Sequence, residues 1–283
     1  MVKIISDSTC DLSEELLKKY DIDILPLHIL LGDNEYNDGV NITPDEIFKW
    51  SDENKTTPKT SAPSLTEAME IMRPYVKEKR EIVCFSISDD MSTSGNVMRL
   101  AAEELGAENL VYVINSKNLS TGIGLQVIEA AIMAGEGKTG KEIAESIEEI
   151  TPLVRASFVV DTLTYLHRGG RCSSVAAMAG SVLKLHPKIV VKDGKMEADK
   201  KYRGKIQSVI MAYVKDMEEE LKNARADRVF ITHSGCTGDI TDEVRTYLKS
   251  LNIFEEILET RAGGVISSHC GPGTLGVLFI SKQ

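Results

Sequence analysis

Short apolar runs alternate with amphipathic stretches through the first half of the chain. Residues 2–5, 82–87 and 110–114 are apolar and rich in β-branched side chains, the composition of buried strands. After each strand comes a hydroxyl-rich loop and then a helical period. Leu12, Leu16 and Tyr20 share one face of a helix predicted over 11–20, opened by Asp11-x-x-Glu14 in capping-box form. Helices are also expected up to Leu105 and Met133. Thr43-Pro44-Asp45-Glu46, Ser64-x-x-Glu67 and Thr139-x-x-Glu142 are further helix starts, the last placing Ile143, Ile147 and Ile150 toward a core. Residues 22–31 read as one strand, edge-like because of Pro26. Residues 32–41, and the polar stretch ending at Ser64, read as turns and loops. Strands alternating with helices at this spacing predict an α/β fold with a parallel sheet covered on both faces.

The second half is looser. Residues 156–160 read as a buried strand, and Gly169-Gly170-Arg171 breaks the chain beside a cation. Ser173 and Ser174 offer caps for a small-residue apolar helix over 175–185, which Pro187 stops. Residues 189–191 followed by Asp193-Gly194 predict a strand entering a tight hairpin. Beyond it lie a long helix over 204–221, a strand at 229–232, a helix at 239–251 and a strand at 253–258. The tail is glycine-rich, then apolar, and ends in a strand. The stretch 161–194 reads as a junction between two α/β halves, a place that ligands favour. A boundary near Thr151-Pro152 gives lobes 1–151 and 152–283, the final segment being free to pack back on the first lobe.

Composition narrows the partners. The chain has 283 residues, more than one ordinary domain, with 42% hydrophobic and 27% charged residues. With 33 Lys+Arg against 43 Asp+Glu the net charge is −10, which argues against nucleic acid. No apolar stretch approaches the ~20 residues of a membrane span, and MVKIISDS enters a strand without signal-peptide architecture. Five cysteines, odd in number and without CxxC spacing, fit reduced thiols in a cytoplasm and argue against structural zinc.

Four segments carry hydroxyls where loops would follow strands: 6–9, 88–94, 116–121 and 267–269. In an open α/β sheet such loops line the ligand crevice, and neutral donors near helix N-termini suit a carboxylate or phosphate. Each is also an ordinary set of helix caps. His269-Cys270-Gly271-Pro272-Gly273-Thr274 pairs an imidazole donor with a tight turn that admits a ligand to the backbone; a plain turn beside a packed histidine has the same spacing. Arg171 suits an anion clamp or a carboxylate between lobes. His28, His167, His186 and His233 have no ligand spacing. Residues 135–141 resemble a phosphate-binding loop but carry Glu142 where Ser or Thr belongs, and they follow a helix. Gly122-Ile123-Gly124 lacks the third glycine of a dinucleotide fingerprint, and no G-x-S-x-G or HExxH occurs. Three readings stay open on these residues: a binding protein, a module for another small anion, or an enzyme acting on a small carboxylated or phosphorylated metabolite. In the enzyme reading Arg171 is the clamp and His269 the acid/base.

Together, I-I-S-D-S-T-C-D-L at 4–12, K-T-S-A-P-S at 59–64, D-T-L-x-Y-L-x-x-G-G-R at 161–171, the Lys192-Asp193-Gly194 hairpin and H-x-G-P-G at 269–273 resemble the DegV family of bacterial fatty-acid-binding proteins. The resemblance covers nearly the whole chain. It implies a parallel-sheet N-terminal lobe and a mixed-sheet C-terminal lobe with a long-chain fatty acid such as palmitate between them. It also implies no catalysis of the chain's own, no cofactor or metal, and delivery of the acyl chain to a separate fatty-acid kinase subunit. Thr60 and Ser61 would hold the carboxylate with His269, and Arg171 and Gly273 would complete the site. A serine of the 88–94 loop joins them. Ungapped register selects Ser92, and matching the family's Ser-Gly selects Ser94. The helix over 175–185 and Met69, Met72 and Met98 are candidates to line the tail. At ~0.8 kcal/mol per buried CH₂, a sixteen-carbon tail offers roughly 11 kcal/mol gross, reduced by association and ordering.

Overall fold

The computed structural model describes residues 1–172 and 185–283. The helix expected over 175–185, with its Ser173 and Ser174 caps, lies outside the described residues up to position 184. Leu185 already begins a strand.

The first half contains β1 (Lys3–Asp7), α1 (Glu14–Lys19), β2 (Ile22–Leu25), β3 (His28–Leu31), β4 (Asn34–Asn37), α2 (Pro44–Asn54), β5 (Lys59–Ser61), α3 (Leu65–Lys77), β6 (Ile82–Ser86), α4 (Ser94–Glu104), β7 (Val111–Asn115), α5 (Thr121–Gly135) and α6 (Gly140–Ile150). Strands β2-β1-β6-β7 form a parallel sheet. β6 is buried throughout, and its alternating side chains divide between two cores. Val83 and Phe85 face α5, while Ile82 and Cys84 face α3 and α4. A small antiparallel sheet, β4-β3-β5, stands beside it.

The second half contains β8 (Val154–Val159), α7 (Thr164–Gly169), β9 (Leu185–Lys192), β10 (Lys195–Arg203), α8 (Ile206–Asp216), α9 (Glu218–Lys222), β11 (Ala224–Ser234), α10 (Gly238–Ser250), β12 (Glu256–Arg261), α11 (Gly264–Cys270) and β13 (Thr274–Ser281). Its sheet runs β10-β9-β8-β13-β11-β12, antiparallel except for the parallel pair β11 and β12. The fold is thus a two-lobed α/β arrangement, a parallel sheet first and a mixed sheet second. Helix α5 joins them. It is apolar on nearly every face, as a helix must be when covered on all sides, and one continuous core runs from Phe85 through Ile123 and Ile128 to Phe158 and Leu278. Glu129 on α5 pairs with Arg225 and Arg228 of β11.

Three capping boxes, at Thr43, Ser64 and Thr139, stand as the spacing predicts. So does the hairpin, where Asp193 (φ 48°) and Gly194 (φ 84°) turn β9 into β10. Other expectations are corrected. α1 is capped by Ser13 rather than Asp11, whose carboxyl is drawn away by partners distant in sequence. Pro26 does more than mark an edge: it breaks 22–31 into β2 and β3, which belong to different sheets. The polar stretches at 32–41 and before Ser64 contain β4 and β5, short strands carried by pairing to β3 rather than by hydrophobic pattern. Pro187 lies inside β9, close to a bulge in β10. The long helix at 204–221 is two, α8 and α9, separated at Met217. The strand placed at 253–258 forms at Glu256–Arg261, where β11 offers a parallel partner. Residues 267–269 lie within α11, not in a loop. Among the described residues no helix is long and apolar enough to cross a membrane.

Candidate functional site

Two short elements from opposite ends of the chain supply the polar heart of the site. β5 pairs with β3, with Ile29 opposite Thr60. α11 carries His269 in its last turn and packs against β3 and β5. The Thr60 hydroxyl and His269 Nε2 meet at 2.8 Å, while His269 Nδ1 is buried without a hydrogen-bond partner. Burial, reinforced by the Arg171 guanidinium, lowers the His269 pKa to about 4, so the ring is neutral at physiological pH.

α11 is held at its start by two buried carboxyl groups of the first half. Asp38 accepts from the Gly264 amide at 2.7 Å and the Ser8 hydroxyl at 2.8 Å. Asp11 accepts from the Gly263 amide at 2.9 Å and from the Ser120 hydroxyl. A third, Asp7, accepts from the Ile87 amide at 2.9 Å and from Thr9, pinning the start of the 87–93 loop. Burial raises all three carboxyl pKa values, Asp11 most strongly, and these hydrogen bonds oppose the rise. Sequence reading missed these aspartates as positioning groups. For Asp7 and Asp11 the available signal was an acidic residue embedded in the apolar and hydroxyl run at 4–12.

A cavity of about 430 Å³ opens between β5, the 87–93 loop and α11. It brings together Thr60, Ser61, Ser92, Arg171 and His269, all singled out from the sequence. Apolar side chains continue its wall, among them Leu27, Met91, Leu119, Met196 and Ile266. A second, separate pocket of only about 20 Å³, bordered by Phe158 and Leu278, shares Leu119, Ile266 and Cys270 with this cavity. Asp89 and Asp90 also line the mouth, but each meets a cation: Asp89 lies 2.9 Å from Arg99, and Asp90 3.5 Å from Lys195.

Two sequence candidates stand outside this lining. Ser94 begins α4, fully buried beside the Asp7 carboxyl. Gly273 turns the chain into β13 with φ 75°, its amide donating to the Ser234 carbonyl at 2.7 Å and its α-carbon facing Asp161. Met69, Met72 and Met98 do not line it either. They pack between α3, α4 and the far face of the parallel sheet, because the period of those helices turns them there. Among the described residues no group of three or more His, Cys, Asp or Glu is disposed to hold a metal.

A family model described as "Uncharacterised protein, DegV family" matches residues 1–282. A DegV domain-containing protein of Clostridium acetobutylicum is 32% identical over 285 residues, covering 99% of each chain. Among solved structures, a fatty-acid-binding DegV family protein from Thermus thermophilus superposes with a TM-score of 0.90 at 29% identity, covering 99% of each chain. A stearic-acid-binding protein from Eubacterium ventriosum gives a TM-score of 0.87 at 30% identity over 100% of this chain and 99% of its own.

Proposed function

This chain belongs to the DegV family, and on that premise we propose that it binds a long-chain fatty acid, with the acid group at Thr60 and the tail between the two sheets. The observation that carries this reading is one cavity whose wall is part polar and part apolar. Thr60, Ser61, Ser92, Arg171 and His269 gather on it as hydrogen-bond donors. The rest of its wall is apolar, with Leu27, Ile87, Met91, Leu119, Met196 and Ile266. A volume of about 430 Å³ lies within the ~300–1,000 Å³ common for small-molecule sites.

The head-group chemistry follows from the state of His269. With Nδ1 buried and unpartnered, the tautomer protonated on Nε2 leaves only a lone pair unpaired, whereas the other tautomer strands a buried N–H. Nε2–H then donates to Thr60, and the Thr60 hydroxyl is free to donate to a carboxylate. Ser61 and Ser92 add hydroxyls, and Arg171 supplies positive charge at the exposed rim. Such a head site avoids the desolvation of a fully buried ion pair.

The same proposal includes delivery of the acyl group to a separate fatty-acid kinase subunit in the cytoplasm. Exposure of Asp89, Asp90 and Arg171 beside the hydroxyl end supports this, because a partner could reach the acid group there. It also keeps the lobe division at residues 151 and 152, supported by the short 3-10 turn Thr151–Leu153 between α6 and β8.

Native mass spectrometry of gently purified protein tests the reading. A lipid-sized adduct, and thermal stabilisation that grows along a series of fatty-acid chain lengths, are expected. A clean unliganded mass with no response to any fatty acid would refute it.

A further inference from the structure

Helices α7 and α11 pack together by each lending a bare backbone to a ring of the other. A β-carbon at Gly271, directly after α11, would stand 2.6 Å from Tyr165 Cδ2 and 2.9 Å from Cγ. A β-carbon at Gly169, the last residue of α7, would overlap His269 Nδ1 and stand 3.3 Å from Cε1 and 3.4 Å from Cγ.

The two glycines have different reasons to be there. Gly271 has φ 77°, a conformation that by itself favours glycine. Gly169 is helical and outside the left-handed region, and Gly170 (φ 67°) supplies the helix C-cap. At Gly169 the backbone would therefore favour alanine. What requires its bare α-carbon is the imidazole lying against it. That ring is held between Gly169 on the Nδ1 side and Thr60 on the Nε2 side, so a methyl group at 169 must push Nε2 away from its 2.8 Å contact.

We propose that Gly169 is a positioning residue for acid-group recognition: the absence of its side chain forms the seat that holds His269 Nε2 on Thr60. The proposal rests on the fatty-acid reading and gives α7 a part in it that the cavity lining alone does not reveal.

The test measures binding of palmitic acid and of methyl palmitate to the full chain as wild type, Gly169→Ala, His269→Ala and the double variant. Gly169→Ala should weaken the acid by roughly 10-fold, about one hydrogen bond, and leave the ester within 2-fold, roughly the measurement margin. In the His269→Ala background it should add nothing. Equal losses for acid and ester, additive losses in the double variant, or an unchanged acid affinity would each overturn the proposal. If Gly169→Ala folds poorly, the double variant must recover the lost melting temperature, since it removes the ring that the methyl group meets; failure to recover it also overturns the proposal. The imidazole NMR shifts of His269 must move in Gly169→Ala without any ligand, and unmoved shifts refute the seat. That readout stands even if the wild type binds no fatty acid, an outcome that would instead refute the function proposed above.

Discussion

The Thr60 hydroxyl and His269 Nε2 lie 2.8 Å apart across 209 residues of sequence. Their meeting depends on β5 being pinned to β3, and on α11 being fastened at its N-terminus by Asp11 and Asp38. Neither element is stable alone: β5 has three residues and α11 has seven. The contact is thus a product of tertiary packing, and its loss is a sensitive measure of the site.

Thr60→Val keeps shape and removes the hydroxyl. We expect fatty-acid affinity to fall by about 10-fold, the worth of one hydrogen bond plus an unpaired imidazole N–H. Affinity for the corresponding methyl ester should change little. Isothermal titration of acid and ester decides this, and equal losses for both would refute the role of Thr60.

Ser92 and Ser94 are separable. Ser92 lines the cavity, whereas Ser94 is fully buried beside Asp7. Ser92→Ala should lower fatty-acid affinity by about 1 kcal/mol with an unchanged melting temperature. Ser94→Ala should alter the melting temperature with little direct effect on binding. The reverse pattern would put the head-group serine at 94.

The pH dependence of stability has a definite sign. His269 is held neutral in the folded chain down to a pKa of about 4, against ~6.5 when unfolded. As pH falls from ~6.5 toward ~4 the unfolded state takes up a proton that the folded state refuses, so stability is lost across that window and is flat for this group above it. His269→Gln should not show this loss. The wild-type minus variant difference, measured by urea unfolding, should shrink by up to about 3 kcal/mol over the window. A difference independent of pH would refute the assignment.

The fastening of α5 to the mixed sheet is testable at Glu129. Arg228 is buried and pairs with it, with Asp227 a weaker partner at 3.4 Å. Glu129→Gln should destabilise by about 2 kcal/mol, less than a full buried-pair break because Asp227 remains. Joint replacement, Glu129→Leu with Arg228→Met, should cost less than twice the single change. Urea denaturation midpoints check both.

Much of this protein is set by local rules that its residues display openly. Hydroxyl-to-glutamate spacing fixed three helix starts, Asp193-Gly194 fixed a hairpin, and apolar runs located β1, β6 and β7 of the parallel sheet. Thr60, Ser61, Ser92, Arg171 and His269 were likewise visible through their motifs as a group belonging together. Other features are not local. β4 and β5 are polar strands that exist only because β3 lies between them, and Met72 and Met98 face away from the cavity because their helices pack on the other side of a sheet. Asp11 looked like a cap for the helix beside it, yet its carboxyl serves Ser120 and Gly263. A buried polar group takes whichever partner the packed chain brings near, since leaving it unpaired costs more than any nearby spacing rule can offset. That is why the residues of the site were legible one by one, while their contacts were decided only when both halves closed around α5.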